Sequence, residues 1–139
     1  LVTGVQTCAL PIFNGNPISC SAGLATLDAL GAPGVYEHLH SISERLKTGL
    51  NTIGNELGLP LQMLGDGPIL QPFFSDHPIR THADSRNTDL KKQKAFGLGM
   101  IEKGFFVNPT GKLYLSTAHT PEIVDQTLEA ARAVLSELG

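Results

Sequence analysis

Gly104-Phe-Phe-Val-Asn-Pro-Thr-Gly-Lys-Leu-Tyr-Leu-Ser-Thr-Ala-His-Thr-Pro-Glu122 holds a helix stop, a turn and a helix start. Gly104 closes a helical pattern and suits the left-handed backbone that ends helices. Phe105 to Val107 alternates as a strand. Asn108-Pro109-Thr110-Gly111 is turn chemistry, since proline fixes φ and glycine accepts positive φ. Leu113-Tyr114-Leu115 reads as the returning strand, which predicts a hairpin. Thr120-Pro121-Glu122 opens a helix with a hydroxyl cap, proline in the first turn and an acid near the positive end of the dipole.

Working outward, that last helix runs from Pro121 to Leu138, with Ile123, Val124, Leu128, Ala131, Leu135 and Leu138 on its apolar side. Upstream, Thr88-Asp89 caps a helix to about Lys103 that should bury Leu90, Phe96, Met100 and Ile101. Ser75 to Asn87 is polar and reads as a loop. Leu61–Leu64 and Ile69–Phe74 read as antiparallel strands about a Gly65-Asp66-Gly67-Pro68 turn. Pro72 inside the second strand implies an edge or a bulge. A long helix opens at Pro33 and runs to about Leu57, with Val35, Leu39, Ile42, Leu46, Ile53 and Leu57 in one stripe. Gly58 and Pro60 stop it.

Asn16-Pro17 starts the first helix, Ile18 to Leu30, ended by Gly31. One side of it is small: Ser19, Cys20, Ser21, Ala22, Gly23 and Ala25. Glycine in a helix costs about 1 kcal/mol relative to alanine, so close packing on another backbone is expected at Gly23. The sum is α+β: a small antiparallel sheet with helices on one face. Leu1 to Ile12 fits none of this. It resembles a translated sequencing adapter and is set apart as non-native, which leaves 13–139 as the folded region.

The chain has 139 residues, enough for one domain with a core. Its formal net charge of −3 argues against a nucleic-acid or anionic-membrane surface. Lys91-Lys92-Gln93-Lys94 reads as a solvated helix face. Cys8 and Cys20 make no disulfide framework and no metal spacing is present, so a cytoplasmic setting is the default expectation. No run approaches the length needed to span a bilayer.

No phosphate loop, nucleophile elbow or zinc pattern occurs. His38 and His40, two apart on a helix, point to different faces. His77 and His82 belong to the polar loop. His119 sits at a strand-to-helix junction and reads as closing that turn through a hydrogen bond. A Schiff-base lysine must be desolvated or lie beside another cation. Lys47, Lys91, Lys92, Lys94, Lys103 and Lys112 all have polar neighbours or a turn around them, so no catalytic residue is assigned within the chain.

An ordered set of pieces resembles a known family. Phe-Asn-Gly-Asn-Pro at 13–17 is followed by Ala-Gly-Leu-Ala-Thr-Leu at 22–27, Gly-Asp-Gly-Pro at 65–68 and Phe-Phe-Ser-Asp at 73–76. Lys-Gly-Phe-Phe at 103–106, Tyr-Leu-Ser-Thr-Ala-His-Thr at 114–120, Asp125 and Thr-Leu-Glu-Ala at 127–130 complete the set. Together they look like the C-terminal part of a class III, pyridoxal-phosphate-dependent aminotransferase, in the branch of glutamate-1-semialdehyde 2,1-aminomutase. The resemblance implies a fold-type I homodimer, with pyridoxal 5'-phosphate held by a lysine of an upstream large domain. It implies amino-group transfer on a small amino acid or amino-aldehyde. It leaves Phe13, Asn14, Gly15 and Asn16 as the residues beside the cofactor. In the family a Gly-Thr pair precedes this segment, and Ile12 stands where the threonine belongs. Asn108 to Tyr114 is shorter than in the aminomutases and holds no acid, which favours transfer between molecules. The fragment alone is expected to be inactive, with neither nucleic acid nor membrane as partner. A reading of another class is a stand-alone α+β dimerisation or regulatory module without cofactor, using helix 18–30 as its dimer face.

Overall fold

The computed structural model describes residues 16–139. Phe13, Asn14, Gly15 and the adapter-like stretch lie outside the described residues. The chain divides into two compact units, Leu1–Val35 and Tyr36–Gly139.

The first unit contains α1, Pro17–Leu30. Asn16 caps it as expected: its Oδ1 accepts from the N–H of Ile18 at 2.9 Å and of Ser19 at 3.3 Å. Gly31 forms the C-cap in ordinary right-handed geometry. A Cβ built on Gly23 meets nothing within 4 Å, so the close neighbour expected there is not found among the described residues.

Helix α2, Val35–Glu56, begins two residues later than the Pro33 start that the sequence suggested, and from Tyr36 onward it belongs to the second unit. Its buried side is Leu39, Ile42, Ser43, Leu46, Leu50, Ile53 and Gly54. Val35 and Leu57, expected in the stripe, are half-buried at its ends. Ser43 is admitted to the core because its hydroxyl donates to the Gly67 carbonyl of the following hairpin. Gly54 is admitted because β1 crosses there: a Cβ would stand 2.8 Å from the Leu61 Cβ.

Strands β1, Leu61–Asp66, and β2, Ile69–Phe74, pair antiparallel in the register Leu61↔Phe74 to Asp66↔Ile69. Leu61, Met63, Leu70, Pro72 and Phe74 share the buried face, as period-2 alternation requires. Phe74 meets Phe96 edge-on at a centroid distance of 6.3 Å. The short β3, Leu113–Tyr114, adds to β2 and gives the order β1-β2-β3.

Pro72 is explained by this arrangement. It faces Met63, whose N–H turns outward to Asn51 Oδ1 of α2 at 2.8 Å. Neither residue of the pair supplies a ladder donor to the other. On the opposite side β3 reaches only Leu70, so the missing proline N–H is not needed. β2 is central by order but an edge along its second half. Asn51, and Lys47 Nζ on the Gly65 carbonyl at 3.0 Å, cover the outer edge of β1.

Residues 75–87 are more ordered than a bare loop. The Gln62 amide donates to the carbonyls of Ser75 and His77 and accepts from Ile79 N–H. A four-residue helix, α3, His82–Ser85, follows, with Thr81 and Asp84 in a reciprocal capping box. Helix α4, Leu90–Glu102, is capped by Asp89 Oδ1. It buries Gln93, Phe96, Gly97 and Met100. Leu90 and Ile101, expected inside, are 58% and 38% exposed. The buried face is turned toward Gln93 and Gly97 because the 108–111 turn packs there. Helix α5, Pro121–Ser136, buries Val124, Ala131, Val134 and Leu135, while Ile123 is exposed and Leu128 and Leu138 are half-buried. Arg45 of α2 reaches Asp125 of α5 through two hydrogen bonds of 2.8 and 2.7 Å.

Candidate functional site

The Gly104–Glu122 stretch does not form the expected hairpin. Gly104, at φ +91°, ends α4: its N–H bonds the Ile101 carbonyl and the Phe105 N–H bonds that of Met100. Phe105 to Val107 forms no strand and pairs with none among the described residues. The Asn108–Gly111 turn is present, closed by Gly111 N–H on the Asn108 carbonyl at 3.2 Å. Its two arms then separate. Pro109 lies directly on Gly97 of α4, where a Cβ would come within 2.6 Å of the Pro109 carbonyl oxygen. Gln93 Nε2 reaches the Thr110 carbonyl at 3.3 Å. Leu113 and Tyr114 go instead to β2.

The separation leaves a groove of about 660 Å³. Its walls are Phe105–Val107 on one side and Leu113–Leu115 on the other, with Ile123, Val124 and Thr127 of α5 and Leu46 of α2 also lining it. Phe106 at its lip is 98% exposed. The polar groups in the lining include Asn108, Lys112, Tyr114, His119 and Thr127, and among the described residues no carboxylate lines it.

His119 closes the strand-to-helix turn, as its position suggested. The Ser116 N–H donates to its Nδ1 at 3.0 Å, and its own N–H donates to the Ser116 carbonyl at 3.0 Å. A backbone N–H can only donate, so Nδ1 is an acceptor and the neutral ring carries its proton on Nε2. His38, half-buried on α2, bonds the His119 carbonyl through Nε2 at 3.0 Å. Thr120 then caps α5, with Oγ1 accepting from Ile123 N–H at 3.4 Å. The Thr120 hydroxyl and the Glu122 backbone N–H hold the Glu122 carboxyl below its ordinary value.

The remaining candidates are dispersed. His77 and His82 are exposed on the 75–87 segment, and His40 is exposed on α2. Among the described residues no cluster of histidine, cysteine and acids is arranged to hold a metal. Lys91, Lys94, Lys103 and Lys112 are exposed, and Lys47 and Lys92 are half-buried. Of the four residues assigned to the cofactor only Asn16 is described, and its side-chain oxygen is engaged by its own helix. Among the described residues none of the lysines is buried. The groove was not legible in the sequence. Its one signal was the Ser-Thr-Ala-His spacing, which fixed the turn but not what lay beside it.

No protein-family model matches the chain. The glutamate-1-semialdehyde 2,1-aminomutase of Desulfosudis oleivorans is 39% identical over 128 residues, which is 91% of this chain and 30% of that protein. The enzyme of the same name from Desulfitobacterium hafniense is 40% identical over 129 residues, again 91% and 30%. Among solved structures, a transaminase with pyridoxal phosphate (PLP) bound superposes with a TM-score of 0.77 at 24% identity, over 94% of this chain and 30% of that one. The chain is similar to the C-terminal part of glutamate-1-semialdehyde 2,1-aminomutases. It spans about 30% of the length of the curated relatives it matches. The α+β class with a small antiparallel sheet agrees with that part of an aminotransferase, and within it the 105–107 strand is the element that does not form. No described helix is long and apolar enough to cross a membrane.

Proposed function

We propose that this chain is the small-domain portion of a PLP-dependent enzyme that moves amino groups. The observation that carries the reading is the match over 91% of the chain to about 30% of the aminomutases, joined to an aminotransferase fold. On this reading the reactive lysine and the acid that pairs with the pyridine nitrogen belong to a large domain outside this chain. PLP supplies the electron sink. The small domain supplies a wall of the site, and the Phe13–Asn16 turn reaches the cofactor in a cytoplasmic homodimer. The short acid-free segment Asn108–Tyr114 favours a transaminase over an intramolecular aminomutase, acting on a small amino acid or amino-aldehyde.

The chain alone is then inactive. PLP is added to the purified chain, followed by borohydride and peptide mass mapping. Scattered, substoichiometric lysine labelling is expected. Stoichiometric labelling of a single lysine would mean that the nucleophile is in this chain and would overturn the proposal.

A further inference from the structure

The turn that joins β3 to α5 hangs on a single ring nitrogen. Ser116 directs two groups at Nδ1 of His119, its backbone N–H at 3.0 Å and its hydroxyl at 3.0 Å. The His119 N–H returns to the Ser116 carbonyl at 3.0 Å, and the Ala118 N–H reaches the Ser116 hydroxyl at 3.4 Å. Both ends of the turn are tied to other elements. The Leu115 N–H bonds the Pro68 carbonyl at 2.9 Å, and His38 of α2 bonds the His119 carbonyl at 3.0 Å.

The two histidines answer a proton in opposite ways. His38 faces a carbonyl, which only accepts, so its Nε2 carries hydrogen whether the ring is neutral or charged. His119 faces an amide, which only donates, so its Nδ1 must be bare. A proton on Nδ1 would set N–H against N–H at 3.0 Å. The Ser116 hydroxyl can turn and accept from that proton, but the backbone amide cannot and must withdraw. His119 is half-buried and Ser116 exposed, so solvent can supply the proton and take up the freed amide. The other titratable and charged groups on the elements around the turn are His38, His40 and Arg45 of α2, Glu122 and Asp125 of α5, Asp66 of the 65–68 turn, and Lys112 and Tyr114 of the groove wall. Arg45 and Asp125 are engaged with each other. Of the side chains in this set only histidine ordinarily changes charge between about pH 5 and pH 8.

We propose that His119 is a proton-operated latch on the β3–α5 turn. The neutral ring holds Ser116 in place. The imidazolium releases the Ser116 amide and loosens Leu115 beside it, which lines the groove.

The full ¹⁵N-labelled chain is titrated from about pH 8 to about pH 5, following the Ser116 amide and the ring resonances of each histidine. Protection of the Ser116 amide against exchange, corrected for its intrinsic pH dependence, should fall about tenfold with the midpoint of the His119 ring. Long-range ¹H–¹⁵N spectra should show Nδ1 of His119 bare at the upper end and protonated at the lower. His119→Asn puts an acceptor that does not titrate where Nδ1 stands, so the protection should persist and its pH response vanish. His38→Gln should leave the response at Ser116 intact, because His38 donates in both of its charge states. A Ser116 amide indifferent to pH, one that follows the midpoint of His38, or a response that survives in His119→Asn would overturn the latch.

Discussion

Replacing Gly97 by alanine tests whether α4 and the 108–111 turn are fitted to each other. A Cβ there would press first on the Cα of Pro109 and would also stand 2.6 Å from its carbonyl oxygen and 2.8 Å from its carbonyl carbon. Ordinary contact begins at about 3.5 Å, so the turn must retreat by more than about 1 Å, a distance set by the Pro109 Cα. The obstacle is proline backbone, which cannot swing aside as a side chain can. Overpacking of this kind costs about 3 kcal/mol, the upper end of its range. Alanine's better helix propensity returns about 1 kcal/mol. The net loss is about 2 kcal/mol, which lowers the urea midpoint by about 1 M for a slope of ~2 kcal/mol per M. Gly49→Ala is the control. There the Cβ meets the two Cδ atoms of Leu128 at 2.6 Å, the movable end of a half-buried side chain. Strain and propensity should nearly cancel at that site. Circular dichroism at 222 nm follows the unfolding, and the amides of Thr110–Tyr114 should shift in Gly97→Ala alone. If Gly97→Ala proves as stable as Gly49→Ala, the turn is not seated on α4 and the groove is not held open in this way.

Two further tests follow. Asp84 is held below the ordinary aspartate value, first by the backbone N–H of Arg80, then by that of Thr81 and by the Thr81 hydroxyl. A depressed folded-state value means stability present above the unfolded value and lost as pH falls through the folded one. Asp84→Asn should therefore flatten the decline in thermal midpoint below about pH 4 and leave the profile above pH 6 parallel to the parent chain's. An unchanged acid limb would remove Asp84 from the cause. Asn51→Ala strips the partner from the Met63 N–H and opens the outer edge of β1. The loss should be about 1–2 kcal/mol in urea unfolding, with faster exchange of the Met63 amide. An unmoved exchange rate would show that the Asn51 cap does not protect that edge.

Much of the chain was readable because its signals are local. Asn16, Asp89 and Thr120 each cap the helix they were assigned. A helix start needs only a side-chain acceptor within three residues, and that is written in order along the chain. The β1–β2 hairpin was readable for the same reason: turn residues and alternation lie within fourteen positions. Helix faces were readable at their centres, where Leu39, Ile42, Leu46 and Phe96 keep the period, and less so at the ends.

What the sequence determined by itself was the four long helices, the first hairpin, the α+β class and the resemblance to a known family. Tertiary structure decided where Leu113–Tyr114 would pair, and with it the fate of Phe105–Val107. Turn chemistry at Asn108–Gly111 permits a hairpin but does not compel one. Seating Pro109 on Gly97 and adding Leu113 to Leu70 outcompeted it. That choice turned Gln93 inward and Leu90 outward, against their polarity, and opened the groove beside His119. Contacts between residues tens of positions apart set all of these, and a local pattern carries no record of them.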